Sequence, residues 1–137
     1  MDDFTLTPIG VVRSPLTDRS SAPRQADEGA PEARLVFDAR YADGLRDLRA
    51  GDELILLTWL DRARRDVLRV RPRGNPDAPL TGVFATRAPD RPNPIGLHRV
   101  RVAEVVGEAE LRVAELEALD GTPILDVKPV LGPVGER

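Results

Sequence analysis

The chain has 137 residues, of which 41% are hydrophobic and 31% are charged, and its net charge is −3. That length suits one domain, and no apolar run reaches the ~20 residues that a membrane-spanning helix needs. The absence of cysteine excludes disulfides, thiolate catalysis and thiolate metal sites. We therefore expect one domain over residues 1–137, located in the cytoplasm because the acidic N-terminus lacks the features of a secretory signal.

The first part of the chain predicts two strands separated by a long polar loop. Residues 5–12 predict the first strand because apolar and β-branched side chains recur in it. Residues 16–33 are rich in Asp, Arg, Ser, Pro and Ala and lack apolar periodicity, which predicts a long loop. Residues 34–37 then predict a short second strand.

The middle of the chain predicts one short helix and two further strands. Residues 41–48 predict a helix of one to two turns, with Leu45 and Leu48 three positions apart and facing inward. Residues 53–60 are the most apolar run and predict a strand that is covered on both faces. Another strand is expected at residues 67–70, after a turn rich in arginine.

The second half adds a hairpin and a last strand. Residues 99–106 and 109–116 alternate in polarity on either side of Gly107 and Glu108, which predicts a hairpin, and residues 124–130 predict the last strand. Seven or eight short strands with turns between them indicate an all-β protein. We expect a small closed antiparallel β-barrel with one short helix and long loops, since closure leaves no exposed sheet edge.

The densest pattern is GVFATRAPDRPNPIGL at residues 82–97, which begins and ends like a strand. Each of its three prolines fixes φ and removes a backbone donor, so its centre can be neither helix nor central strand. A proline-rich turn between two strands would account for the pattern without any function. The alternative is a stiff binding loop that carries fixed guanidinium groups, namely those of Arg87 and Arg91.

A second informative pattern is DGTPILDVKP at residues 120–129. Lys128 is the only lysine among twenty basic residues, and Asp126 lies two positions before it, on the same face of the predicted strand. Chance placement explains a single lysine about as well as a site that requires a compact positive charge. If that face were internal, pairing would limit the cost of burying the two charges.

Charge and residue counts narrow the chemistry further. Six arginines fall within residues 62–73, which indicates either a phosphate-binding face or a solvated face interleaved with aspartates. The chain offers no cluster of ligands at metal spacing, so we expect no metal. His98, the single histidine, is expected to be a partly exposed strand residue rather than a catalytic one.

Four stretches together resemble one known family. IGVVRSP at 9–15, PRQ at 23–25, ATRAPDRPNPIG at 85–96 and DGTPILDVKP at 120–129 are similar to motifs of the TrmO (TsaA-like) family of S-adenosylmethionine-dependent tRNA methyltransferases. The resemblance implies a small β-barrel, S-adenosylmethionine as cofactor and a homodimer with cofactor sites near the interface. The implied substrate is threonylcarbamoyladenosine at position 37, in the anticodon loop of tRNA.

The resemblance also implies roles for particular residues. The expected cofactor-binding positions are Gln25, Asp61, Arg62, Arg87, Leu97, Glu117, Ala118, Leu119 and Asp120. We expect Arg91 and Asn93 to position the substrate. Asp126 and Lys128 are the predicted catalytic pair, with Asp126 or Asp90 accepting the proton that the methylated nitrogen loses.

Three departures from the family pattern keep two alternatives open. Asp61 stands where family members often have histidine, Ala26 and Asp27 stand where a Pro-Gly pair is frequent, and no additional C-terminal domain is expected after residue 137. One alternative is methylation of a small metabolite. The other is a barrel that binds the cofactor or RNA without catalysis.

Overall fold

Six antiparallel strands pair in a closed ring in the computed structural model, which describes residues 3–20 and 22–132. They are β1 (Gly10–Arg13), β2 (Ala33–Phe37), β3 (Glu53–Trp59), β6 (Ile95–Val106), β7 (Glu110–Val113) and β8 (Pro123–Pro129). Their order around the barrel is β1-β2-β7-β6-β3-β8, and β8 pairs with β1. Two further strands, β4 (Arg69–Val70) and β5 (Thr81–Gly82), form a separate two-stranded sheet.

The barrel closes around one core because its strands alternate between buried and exposed side chains. The innermost side chains come from all six strands: Val12, Leu35, Leu54, Leu56, Val100, Val102, Leu111, Val113 and Ile124. Gly10 permits β1 to approach β2 closely, since a Cβ there would lie 2.6 Å from the carbonyl oxygen of Val36. The all-β prediction is therefore confirmed.

Helical structure in the described residues is confined to short 3-10 segments at Ala26–Glu28, Ala39–Leu45, Pro72–Gly74 and Val83–Ala85. The helix predicted at residues 41–48 is the second of these, so both its type and its bounds differ from the prediction. Asp38 caps its start by accepting a hydrogen bond from the backbone N–H of Arg40 at 3.0 Å. Leu45 is buried and Leu48 packs partly buried against the core, which confirms their inward orientation.

Several strand predictions need correction. β1 begins only at Gly10, and Ile9 is the last residue before it to join the sheet, donating to the carbonyl of Ile124 at 2.8 Å. β3 is buried on one face only, because Leu54, Leu56 and Thr58 point inward while the residues between them are half-buried.

The region from residue 67 to the start of β6 also differs from expectation. The strand predicted at 67–70 belongs to the small separate sheet and not to the barrel. The expected strand-like start of the proline-rich segment is a 3-10 turn at Val83–Ala85. The hairpin prediction is confirmed, since β6 and β7 pair across a turn that contains Gly107 at φ +59°. No helix in the described part of the chain is long and apolar enough to cross a membrane.

Candidate functional site

A cavity of about 950 Å³ lies between the proline-rich segment and the barrel. Its walls come from the loop after β1, the turn after β3, the Pro72–Gly74 segment, the start of β6 and the loop after β7. Leu60, Leu97, Ala118 and Leu119 give it apolar surface. Six arginines also line it: Arg19, Arg24, Arg62, Arg73, Arg87 and Arg91. This combination suits a partly apolar ligand that carries negative charge.

The proline-rich segment is folded around the guanidinium of Arg91. That group donates to the carbonyl oxygens of Thr86 at 3.1 Å, Ala88 at 3.0 Å and Val83 at 2.8 Å. The Thr86 hydroxyl donates to Val83 as well, at 2.9 Å. Arg91 therefore lines the cavity as predicted, but most of its hydrogen-bonding capacity holds the loop.

Asn93, the other predicted substrate-positioning residue, is exposed and does not line the cavity. Its side-chain oxygen accepts from Arg65 at 2.9 Å, and Arg65 also donates to the carbonyl of Pro92 at 2.7 Å. Arg65 in turn stacks over the ring of Trp59. Asn93 thus anchors the segment to the end of β3.

Asp90 ties three parts of the cavity wall together. Its carboxylate accepts from the Arg19 side chain at 3.2 Å and from the backbone N–H of Arg64 at 2.9 Å. Arg19 also donates to the carbonyl of Arg62, and Arg62 donates to the carbonyl of Thr17. Asp90, the alternative predicted proton acceptor, is not among the residues that line the cavity, and these contacts hold the wall of the cavity together.

Two of the lining arginines have guanidinium groups without any partner among the described residues. Within the described residues, neither Arg24 nor Arg87 has a hydrogen-bond or ion-pair partner, and both are exposed. Arg73, by contrast, is paired with Glu28. Gln25 and Asp61 line the cavity beside these groups and are also exposed. Arg24 and Arg87 are therefore the guanidinium groups best placed to meet an anionic group of a ligand.

The loop after β7 is anchored at both ends by backbone hydrogen bonds. Leu116 donates its backbone N–H to Pro31 at 3.0 Å, and Asp120 donates to Leu16 at 2.7 Å. Between them, the backbone N–H groups of Glu117, Ala118 and Leu119 have no acceptor among the described residues. These three residues line the cavity and offer donors to a ligand.

Asp120 itself lies outside this cavity. Its carboxylate accepts from the backbone N–H of Ser14 at 3.1 Å and lies 3.8 Å from Arg13. The other eight predicted cofactor positions all line the cavity: Gln25, Asp61, Arg62, Arg87, Leu97, Glu117, Ala118 and Leu119. Residues far apart in the sequence are thus brought to one place.

The structure corrects the prediction for His98, which is 6% exposed and not a partly exposed surface residue. Its ring lies between Thr58 and Glu117 at the cavity wall. The signal was present in the sequence, because His98 has the same parity in β6 as the buried Val100 and Val102. Sequence reasoning missed its two partners because they come from other elements.

Asp126 and Lys128 do not share this cavity. They pair at 3.5 Å on the outer face of β8, with side chains 50% and 65% exposed, respectively. Their neighbours across the strand pair are Leu57 and Ile55 of β3. The two residues lie on the same face of the strand, as predicted, but that face is not internal, so the condition under which their pairing would offset a burial cost is not met. Among the residues that the structure describes, no His, Cys, Asp and Glu cluster is arranged to hold a metal ion.

The closed antiparallel barrel and its arginine-lined cavity define a small all-β protein with a site in the size range of small-molecule and cofactor sites. Residues 11–134 match the family described as the tRNA-methyltransferase O N-terminal domain. The chain belongs to this TrmO family.

Relatives with known names cover nearly all of the chain. A probable S-adenosyl-L-methionine-binding protein of Methanothermobacter thermautotrophicus is 45% identical over 127 residues, which are 93% of this chain and 90% of that protein. The Escherichia coli tRNA (adenine(37)-N6)-methyltransferase is 36% identical over 139 residues, 96% of this chain but 59% of that enzyme. The crystal structure of TrmO from Pseudomonas aeruginosa matches with a TM-score of 0.74 and 31% identity, over 96% of this chain and 56% of that one. The chain thus spans less than two thirds of the latter two proteins.

Proposed function

We propose that this chain is a methyltransferase that binds S-adenosylmethionine in the described cavity and methylates N6 of threonylcarbamoyladenosine at position 37 of tRNA, in the cytoplasm. One observation carries the proposal: eight residues from separated motifs line one cavity of about 950 Å³. The names of the archaeal and E. coli relatives support the cofactor and the tRNA substrate, respectively.

The cavity offers what the cofactor requires. Arg87 is unpaired among the described residues and is the proposed partner of the cofactor carboxylate. Leu97 and Ala118 provide apolar wall for adenine, and the unpaired N–H groups of residues 117–119 provide donors for its ring nitrogens. When bound, S-adenosylmethionine supplies an electrophilic methyl group. The chain contributes chiefly by holding the acceptor nitrogen in line with it.

The cationic wall suits a tRNA phosphate backbone. Arg24 is the second unpaired guanidinium, and it lies beside Gln25 on the same wall. One free arginine for the cofactor and one for the nucleic acid would allow both to occupy the cavity region together. Since phosphate contacts release counterions, tRNA binding should weaken as salt concentration rises.

We also propose that the chain works as a homodimer through the outer face of β3 and β6. Leu57 and Trp59 of β3 pair with Leu97 and Ile95 of β6, which are 47% and 42% exposed, respectively, and Ile55 lies next along β3 opposite Arg99. An apolar sheet face of this kind is typical of protein interfaces. Ile95 and Leu97 also line the cavity, so a second copy on this face would lie next to the site.

The same dimer would give Asp126 and Lys128 a catalytic role. They adjoin Leu57 and Ile55 on this outer face, so a partner copy would bring them near a cavity that they do not reach within their own chain. Asp126 would accept the proton from the carbamoylated N6 as that nitrogen gains the methyl group. Lys128, at 3.5 Å, would hold the Asp126 carboxylate in position for the transfer.

Calorimetry and methyl transfer test the enzymatic proposal. Wild type should bind S-adenosylmethionine, and Arg87→Ala should weaken binding about tenfold, as expected for losing a hydrogen bond to a charged group. Arg46→Ala, which removes an equally charged but exposed side chain outside the cavity, is the control. No binding by wild type would overturn the cofactor assignment.

Substrate identity is tested separately with two tRNA pools, one with and one without the threonylcarbamoyl group on adenosine 37. Methylation of the modified pool alone supports the proposed substrate. Binding of the cofactor without methylation of either pool would favour a small metabolite or a non-catalytic role. Asp126→Asn should abolish turnover and leave cofactor affinity unchanged if Asp126 is the base.

Light scattering after gel filtration tests the homodimer. Leu57→Arg places a charge in the centre of the apolar face and should convert dimer to monomer. Val105→Arg is the matched control, because Val105 is an exposed apolar residue farther along β6. A wild type that runs as a monomer would overturn the dimer and the role proposed for Asp126.

A further inference from the structure

Three polar side chains meet inside the end of the barrel that faces the cavity. Thr58 of β3 is fully buried, His98 of β6 is 6% exposed and the Glu117 side chain is 14% exposed. The Thr58 hydroxyl oxygen lies 2.7 Å from Nε2 of His98, and Nδ1 of His98 lies 2.5 Å from Oε1 of Glu117. Polar groups at this depth are costly to bury unless they are hydrogen-bonded to one another.

The backbone makes room for this arrangement at Gly96. Gly96 is paired with Thr58 across the β3–β6 ladder and precedes His98 by two residues, so all three point to the same side. A Cβ on Gly96 would lie 2.3 Å from the Thr58 hydroxyl oxygen and 2.7 Å from Nε2 of His98. The contact between these two side chains therefore requires glycine at this position.

The donors and acceptors fix one proton arrangement. The Glu117 carboxylate only accepts hydrogen bonds, so Nδ1 of His98 carries a proton and donates to it. Nε2 of a neutral ring then accepts a hydrogen bond from the Thr58 hydroxyl. The contact with Glu117 therefore places a proton on Nδ1 and identifies the tautomer of the neutral ring as Nδ1–H.

One oxygen of the Glu117 carboxylate has no hydrogen-bond partner among the described residues. Oε2 of Glu117 is buried and has no hydrogen-bond partner in the described structure, although Glu117 lines the cavity. An unpaired carboxylate oxygen in a low-dielectric site is costly unless a ligand supplies a donor. Its sibling oxygen Oε1 is held by His98, which fixes where the carboxylate sits at the cavity wall.

We propose that Thr58, His98 and Glu117 form a relay that aims Oε2 of Glu117 at a hydroxyl or amino group of the bound ligand. His98 is a positioning residue in this relay and does not touch the reacting atoms. The inference deepens the proposed function, because the ligand is taken to be the sulfonium nucleoside. It adds that the affinity for the ligand depends on His98 and Gly96, although neither residue presents a charge to the ligand.

Nuclear magnetic resonance tests the relay without any ligand. His98 is the only histidine, so its ring nitrogen and proton signals need no assignment by mutation. We expect the neutral Nδ1–H tautomer and a strongly downfield Nδ1 proton that Glu117→Gln shifts upfield. The Nε2–H tautomer, or an Nδ1 proton signal that does not respond to Glu117→Gln, would overturn the relay.

Calorimetry with two His98 variants tests its effect on binding. An asparagine amide can donate to Glu117 much as Nδ1–H does, whereas leucine fills the space without a donor. His98→Leu should weaken S-adenosylmethionine binding about tenfold, and His98→Asn should stay within about threefold of wild type. Equal affinity in all three proteins, or equal losses in both variants, would overturn the positioning role. If His98→Leu fails to fold, Glu117→Gln takes its place and should show the tenfold loss.

A second ligand shows whether a ribose hydroxyl or the α-amino group donates to Glu117. It also separates failure of the relay from failure of the proposed function. 5′-Methylthioadenosine shares the adenine and the ribose hydroxyls of the cofactor but lacks the α-amino group of its methionine part. If Glu117→Gln weakens both ligands equally, the donor is on the nucleoside, and if it weakens only S-adenosylmethionine, the donor is the amino group. If wild type binds neither ligand, the proposed function and the ligand role of Glu117 both fail, while the tautomer still decides whether the relay exists.

Discussion

The guanidinium of Arg65 lies over the ring of Trp59, 5.2 Å from its centroid, and connects β3 with the proline-rich segment. From that position it donates to the carbonyl of Pro92 and to the side chain of Asn93. Stacking and forked donation both depend on a planar group, which lysine cannot provide. The pair therefore fixes the segment relative to the barrel end where the cavity lies.

We predict that Arg65→Lys loosens the segment without removing charge. The unfolding free energy should fall by about 1 kcal/mol, and S-adenosylmethionine affinity should fall with it. Trp59 is the only tryptophan, so its fluorescence reports directly on the loss of stacking. Arg64→Lys, at an exposed pair with Asp66, serves as the control and should change neither property. Unchanged fluorescence and affinity in Arg65→Lys would contradict the anchoring role.

Gly96→Ala should destabilise the protein by about 1–3 kcal/mol, the usual cost of overpacking a tight interior. The added methyl group would meet the Thr58 hydroxyl and the His98 ring. Gly82→Ala is a suitable control, because a Cβ there meets nothing within 4 Å and its φ of −58° suits alanine. Urea denaturation of the two variants measures the difference, and equal stability would refute the close contact at residue 96.

The two arginines of the proline-rich segment should separate into folding and binding roles. Arg91→Lys removes the forked donors that hold three loop carbonyls and should cost about 1–3 kcal/mol of stability. Arg87→Lys should leave the melting temperature unchanged, since Arg87 is exposed and unpaired among the described residues. Thermal melts and calorimetry on both variants provide the comparison. Loss of stability in Arg87→Lys alone would reverse the assignment.

The ion pairs of Glu53 predict that the stability of the fold depends on pH. Hydrogen bonds and charge from Arg99, and then from Arg101, hold the pKa of the Glu53 carboxyl below its ordinary value of 4.5. Because the folded-state pKa is the lower one, the ionised carboxylate stabilises the fold above pH 4.5. That contribution disappears as the pH falls through the folded-state pKa. The melting temperature of Glu53→Gln should therefore lie below that of wild type at pH 7 and approach it as the pH falls below 4.5, and a constant difference would contradict this.

Much of the barrel could be predicted because alternation along a strand is a local property. β2, the β6–β7 hairpin and β8 were found in this way. Residues 5–9 read as strand because β propensity does not say where a partner strand begins. The strand at Arg69–Val70 was placed in the wrong sheet, since two residues carry no information about which sheet they join.

The sequence indicated which residues belong to the candidate site better than it indicated which contacts those residues make. The resemblance to the family implied that Arg87 and Glu117 bind the same cofactor, and both line the cavity. They could not indicate that Arg91 binds its own loop, because that depends on where backbone carbonyls point. The outward orientation of Asp126 also escaped prediction, since the parity of a strand says which residues share a face but not which face is inside.

The turn between β6 and β7 has a practical consequence. From Leu97, at the cavity, β6 continues to Val106, so the turn at Gly107 lies roughly 30 Å away along the strand. Its residues before β7 are exposed or half-buried, and the walls of the cavity come from elsewhere. Such a loop tip tolerates inserted sequence. A fluorophore or an affinity handle introduced there would let the protein be immobilised or tracked while ligand entry remains unobstructed.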